Sequence, residues 1–74
     1  MIVAEILKNR IPGLLAERDW SISDLQRRSG LSYPATLRLA KDTHIGDAIQ
    51  IGTLRRIAAA LGVSIGDLMV VEEN

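Results

Sequence analysis

The most informative stretch of the chain is SISDLQRRSGLSYPATLRLAK, at residues 21–41. Ser21 is one of the residue types that favour the N-cap of a helix, and Asp24, three positions later, adds an acidic first turn. Gly30 suits the end of that helix, because glycine adopts the left-handed backbone conformation without a steric penalty. The pattern therefore predicts a helix over about residues 22–29.

A second helix is expected almost immediately after the first. Ser32 is again a favourable N-cap, and Pro34 falls in the first turn of the helix. Proline is tolerated there, because a backbone N–H in the first turn has no partner within the helix. This helix should run over about residues 33–41, with Leu31 of the turn packed between the two helices. Two short helices joined by a tight turn that contains glycine are typical of a helix-turn-helix motif.

Three more helices are expected around this pair. The first begins near Ile11, and the fourth spans about residues 51–61 and ends at Gly62. Ser64 then caps a short fifth helix that reaches about Met69. The fourth helix carries apolar residues at helical spacing on one face, namely Leu54, Ile57, Ala58 and Leu61.

The two ends of the chain lie outside this helical core, which covers residues 11–69 of a single domain over residues 1–74. Residues 2–8 could continue the first helix backwards, with a kink at Pro12, or could form a short strand. The tail from Leu68 to Val71 is β-prone and could form another strand.

Composition argues against several classes of function. The chain has no cysteine, so it forms neither a disulfide nor a thiolate metal site. The single histidine, His44, is expected to be an ordinary residue of a loop over residues 42–50. No oxyanion motif or glycine-rich phosphate loop accompanies it, so we expect no enzyme, no metal and no cofactor. No apolar run is long enough to span a membrane, and Met1 to Leu7 does not resemble a signal peptide; we expect a cytoplasmic protein.

The protein carries no net charge, but its charges are segregated. Residues 27–56 have a net charge of +4, and the two flanks together have a net charge of −4. Such segregation is expected where one face meets an anionic partner such as nucleic acid, although chance clustering on a solvated surface gives the same pattern.

The segment from Leu25 to Lys41 resembles the helix-turn-helix of the phage repressor and Cro type, often called Xre-like. The stretch IGTLRRIAAALGVSIGDL, at residues 51–68, is similar to the fourth and fifth helices of the same family and is the more specific match. The resemblance implies an all-α, five-helix, lambda-repressor-like domain. It also implies a repressor-like transcription regulator at the nucleoid that reads double-stranded DNA with its third helix, frequently as a homodimer.

Carried over by position, the resemblance places six residues on the groove-facing side of the third helix. They are Ser32, Tyr33, Pro34, Leu37, Arg38 and Lys41. Arg38 is the best candidate for a base contact, because a guanidinium can bond guanine at two acceptors. Tyr33 could contact a phosphate or a thymine methyl group, and Arg27, Arg28 and Lys41 suit phosphates. Plain solvent exposure is an equal alternative for Arg27 and Arg28.

Two departures from the family pattern fall at one predicted helix crossing. Gln26 stands where the family often has alanine, and Thr36 stands where it has a branched apolar residue. We expect the Thr36 hydroxyl to bond the Gln26 amide, or both groups to share a partner. The alternative is that Thr36 bonds the carbonyl one turn earlier and Gln26 turns to solvent. A third departure is Ile22, which replaces a glutamine that usually touches a phosphate.

Two further expectations concern partners. In a variant of this family a short N-terminal strand pairs with a C-terminal one. We therefore expect the two apolar ends, Met1 to Leu7 and Leu68 to Val71, to pair as a small sheet and to supply a dimer contact, by exchange between chains or by addition at the sheet edge. The alternative is that the ends only cover the core of one chain. The other functional hypothesis is an antitoxin, or a protein-interaction module on the same fold with weak or no DNA binding.

Overall fold

The computed structural model describes residues 5–42, 45 and 49–73. Within them the protein is mostly helical, with four α-helices and a small antiparallel sheet. In chain order the elements are β1 (Glu5–Asn9), α1 (Ile11–Arg18), α2 (Ile22–Ser29), α3 (Tyr33–Lys41), α4 (Ile51–Leu61), a 3₁₀ helix (Ile65–Leu68) and β2 (Met69–Glu73). His44 and part of the predicted loop around it lie outside the described residues.

The helix boundaries follow the predicted caps. The Ser21 hydroxyl accepts a hydrogen bond from the Asp24 backbone N–H at 3.1 Å, and the Asp24 carboxylate accepts one from the Ser21 N–H at 2.8 Å. Gly30 ends α2 with φ 72° and Gly62 ends α4 with φ 71°, both in the left-handed region that favours glycine. The predicted bounds of α2, α3 and α4 are confirmed.

The predicted fifth α-helix is wrong. The Asp67 carboxylate does accept the Ser64 backbone N–H at 3.0 Å and the Ser64 hydroxyl at 2.9 Å, but the helix that begins there is a four-residue 3₁₀ helix that ends at Leu68. Met69 then adopts an extended backbone, with φ −149° and ψ 154°, and enters β2. Pairing with β1 therefore leaves no residues for a longer helix.

The two ends of the chain pair as a small sheet. β1 and β2 are antiparallel, in a register that runs from Glu5 opposite Glu73 to Asn9 opposite Met69. The predicted sheet is confirmed, and the alternative of a backward extension of α1 is wrong. Both strands belong to the same chain, and Leu7 and Met69 pack against the core.

The core is aliphatic, as the near absence of aromatic residues requires. Its fully buried apolar side chains come from α1, α2, α4 and the 3₁₀ helix: Ile11, Leu25, Ile57 and Leu68. All four residues predicted for the inner face of α4 are buried. Trp20 packs at the edge of this core, between α1 and α2. Within the described residues, every helix is too short or too polar to cross a membrane.

The predicted bond between Thr36 and Gln26 is wrong. Thr36 is fully buried, and its hydroxyl donates a 2.9 Å hydrogen bond to the Ser32 backbone carbonyl, one turn earlier on α3. The same carbonyl accepts the Thr36 backbone N–H at 3.0 Å. The hydroxyl is therefore satisfied within its own helix, which is the usual way in which a helical threonine buries its oxygen. Gln26 is half-buried.

This arrangement predicts that Thr36→Val and Gln26→Ala change the free energy of unfolding independently. Thr36→Val leaves the Ser32 carbonyl with its backbone bond, so we expect a neutral or slightly stabilising change within about 1 kcal/mol. Denaturant melts of the two single variants and the double variant should be additive within about 0.5 kcal/mol. A larger coupling energy would contradict this account of the helix crossing.

Candidate nucleic-acid interface

The turn between α2 and α3 holds the start of α3 in place. The Gly30 N–H donates to the Gln26 carbonyl at 3.0 Å, which closes α2. The buried Ser29 hydroxyl accepts the Leu31 N–H at 3.4 Å, and Leu31 packs against the core as predicted. The Ser32 hydroxyl then accepts the Ala35 N–H at 3.3 Å and caps α3. The direction in which α3 leaves the turn is thereby fixed by short-range bonds.

Helix α3 has one inner and one outer face. Thr36 and Leu39 are buried on the inner face. Five of the six residues predicted to face the groove are exposed, and these are Ser32, Tyr33, Pro34, Arg38 and Lys41. The sixth, Leu37, is half-buried. The outer face therefore presents a phenol ring, a guanidinium and an ammonium group. The Ser32 oxygen already accepts the cap bond, but its O–H remains a potential donor.

The two basic residues of α2 are both engaged within the chain. The Arg27 guanidinium lies 2.9 Å from the Asp24 carboxylate. The Ser21 backbone N–H, then its hydroxyl, and then Arg27 hold the pKa of Asp24 below its usual value. The Asp24 carboxylate is therefore charged at neutral pH and offsets the charge of Arg27. This arrangement reduces what Arg27 offers to a phosphate, although 70% of its side chain stays exposed.

Arg28 lies over the face of the only tryptophan. Its guanidinium carbon is 4.4 Å from the centroid of the Trp20 ring, a distance typical of a cation–π contact. Trp20 precedes α2 and Arg28 lies near the end of α2, so no simple helical spacing predicts the pair. The contact gives Arg28 a structural partner while leaving it on the surface.

The cations of α3 and α4 are placed differently. In the part of the chain that the structure describes, Arg38 and Lys41 on α3, like Arg55 and Arg56 on α4, are exposed and form no ion pair. Unneutralised cations on an exposed helix suit an anionic ligand, because their charge is not already offset by a neighbouring carboxylate. No group of three potential metal ligands occurs among the described residues.

Asn9 is a contributor that the sequence reasoning missed. It ends β1, is 7% exposed, and its side-chain amide donates to the Leu39 carbonyl at 2.5 Å and to the Asp42 carbonyl at 2.9 Å. Both carbonyls lie at the C-terminal end of α3. The available signal was an asparagine two residues before the predicted start of α1, because an asparagine side chain commonly bonds the backbone N–H two residues further along the chain.

Comparison with known families, proteins and structures gives one positive finding. A family model described as the Cro/C1-type helix-turn-helix DNA-binding domain matches residues 10–74. No curated protein and no solved structure matches the chain. The matched range takes in all four α-helices and β2, and it leaves out β1, which contains Asn9. Because the model covers most of the chain, the protein belongs to the Cro/C1-type helix-turn-helix DNA-binding family.

Proposed function

We propose that this protein is a sequence-specific DNA-binding regulator, repressor-like, that inserts α3 into the major groove of double-stranded DNA. The observation that carries the proposal is the outer face of α3. On this face Arg38 and Lys41 are exposed, and neither forms an ion pair with an acidic residue that the structure describes. The start of the helix that carries them is held by the turn. Membership of a DNA-binding family supports the same conclusion.

Each residue of this face has a distinct role in the proposal. Arg38 offers two donors to a guanine, and Tyr33, 46% exposed, offers a ring edge and a hydroxyl to a thymine methyl group or a phosphate. Lys41, at the end of the helix, suits a phosphate, and so does the Ser32 hydroxyl at its start. Pro34 and Leu37 line the face without a charge. Arg27 and Arg28 would be secondary phosphate contacts, because each already has a partner in the chain.

The zero net charge is compatible with binding to a polyanion. The basic residues are concentrated between Arg27 and Arg56, whereas most of the acidic residues lie in the two flanks. Local potential, rather than total charge, steers an anionic ligand. We place the protein in the cytoplasm, at the nucleoid, and assign it no catalytic activity and no cofactor.

A homodimer is part of the proposal. One short helix reads few base pairs, and domains of this kind bind two half-sites about 34 Å apart. Among the described residues, no strand pairs with the outer edge of β2, and its exposed Val70 and Val71 are 44% and 51% accessible. A second copy can add its own β2 antiparallel to this edge across a two-fold axis, which makes the interface self-complementary.

The second candidate function is a protein-interaction module or an antitoxin on the same fold. Two observations favour it: the overall charge is zero, and Ile51, Val70 and Val71 are exposed apolar residues. Such a protein would bind a toxin or another protein and would bind DNA weakly or not at all.

We expect the protein to bind a random-sequence duplex at low salt and to lose affinity steeply as salt is added. Each phosphate contact releases a counterion, which contributes about −0.9 to the slope of log affinity against log salt. Fluorescence anisotropy with a labelled duplex between low and moderate salt measures this slope. The absence of binding at low salt would rule out DNA binding and favour the interaction module.

We expect Arg38→Ala to cost about 1–3 kcal/mol at one base pair of the preferred site and to relax the preference there. The site is first obtained by selection from a random DNA pool. Arg56→Ala is the matched control, because it removes the same charge from an exposed position on α4. If Arg38→Ala keeps the preferred site and its affinity, Arg38 does not read a base.

We expect Val71→Lys to convert a dimer into a monomer, because a charged side chain on a strand edge opposes edge-to-edge pairing. Light scattering at tens of micromolar protein measures the mass. Ile51→Lys is the control: it replaces an equally exposed apolar residue on α4, away from the sheet, and should leave the mass unchanged. A wild-type monomer under these conditions would refute the dimer.

A further inference from the structure

Every polar group of the Asn9 side chain is used. The amide nitrogen donates to two carbonyls, those of Leu39 at 2.5 Å and Asp42 at 2.9 Å, and the amide oxygen accepts the Ile11 N–H at 2.9 Å. The partners at the end of α3 are 30 and 33 positions away in sequence. A single planar group therefore connects the end of β1, the start of α1 and the end of α3.

The two carbonyls that Asn9 binds belong to a helix end that needs partners. The last carbonyls of a helix have no N–H of their own helix to accept, and a buried one without a partner is costly. Leu39 lies in the last turn of α3, and Asp42 is its C-cap. Asn9 therefore acts as a C-terminal cap supplied by a distant part of the chain.

A second bond ties the chain that leaves α3 to the same strand. The Ile45 N–H donates to the Leu7 carbonyl at 2.7 Å, and the Ile45 side chain is buried in the core. The start of α3 is fixed by the turn from α2, and its end is fixed by β1. These two attachments together define the direction of the helix axis.

We propose that Asn9 is a positioning residue for DNA recognition, which sets the angle of α3 in the groove and thereby the sequence preference of the protein. This inference rests on the proposed function. Base readout by a helix depends on the placement of its side chains to within a fraction of an ångström, whereas attraction to phosphates is tolerant of small rotations. Loss of the Asn9 bonds should therefore reduce specific binding more than non-specific binding.

Two variants separate the contacts of Asn9. Asn9→Asp keeps the shape of the side chain and the acceptor for the Ile11 N–H, but it replaces the amide nitrogen by a carboxylate oxygen that faces the two α3 carbonyls and has no proton to donate to them. Asn9→Leu has similar bulk, adds no charge and loses all three bonds. Ile57→Val is the control, since it weakens the buried core on α4 without a change of charge.

The measurement is the affinity of each protein for the selected site and for random-sequence duplex, at a temperature where circular dichroism shows the variant folded. We expect both Asn9 variants to lose roughly tenfold or more in affinity for the selected site, which is comparable to one mismatched base pair. Asn9→Leu should keep its affinity for random duplex within about twofold, and Ile57→Val should change neither affinity.

The outcomes distinguish the inference from the proposed function. If the folded variants bind the selected site as tightly as the wild type does, or lose both affinities equally, Asn9 only stabilises the fold. If either variant does not fold, Asn9→Ser takes its place and is judged by the same two affinities. The small serine side chain leaves room for a water molecule that can bridge to the α3 carbonyls. A wild-type protein that prefers no duplex sequence overturns the proposed function itself.

Discussion

The turn over Gly30–Ser32 is the constraint on which the rest of the candidate interface depends. Helices of eight and nine residues are too short to be stable alone, so α2 and α3 exist only because they pack on each other and on the core. A turn this short permits few geometries. Gly30 supplies the left-handed step, and the Ser32 hydroxyl caps the next helix at once. A longer or looser turn would leave the outer face of α3 without a defined orientation.

Much of this fold could be predicted from the sequence, because its boundaries are set by local chemistry. Serine caps and left-handed glycines act over three or four residues, and so the bounds of α2, α3 and α4 are readable from the pattern. The short 3₁₀ helix was mispredicted because a serine followed by an aspartate three residues later, here Ser64 and Asp67, is the pattern that also begins a longer helix. What ends it is the pairing of Met69 with Asn9, sixty positions away in the chain, which no local pattern contains.

The candidate site was less predictable for the same reason. Sequence position could put Arg38 and Lys41 on the outer face of α3, since helical spacing decides which side a residue occupies. The spacing of Asp24 and Arg27, three positions apart on one helix, did signal their ion pair, and the sequence analysis did not use it. No such spacing indicates that Arg28 lies on Trp20, because a long side chain chooses among several partners within reach. The charge segment over residues 27–56 thus divides into cations that are already engaged on α2 and cations that are unpaired on α3 and α4 within the described structure.

Polar bonds, rather than apolar packing alone, position α3 in this small domain. Its two buried residues are Thr36 and Leu39; the Thr36 hydroxyl is satisfied inside the helix, and the Leu39 carbonyl is satisfied by Asn9. Apolar contacts are non-directional and tolerate sliding, whereas a planar amide shared by three backbone groups tolerates little rotation. A helix that is held in this way has one orientation relative to the sheet formed by the chain ends. The same sheet carries the outer edge at which we propose that a second copy binds. The distance and angle between the two α3 helices of a dimer would then depend on a short path of contacts, from α3 through Asn9 to β1 and from β1 to β2.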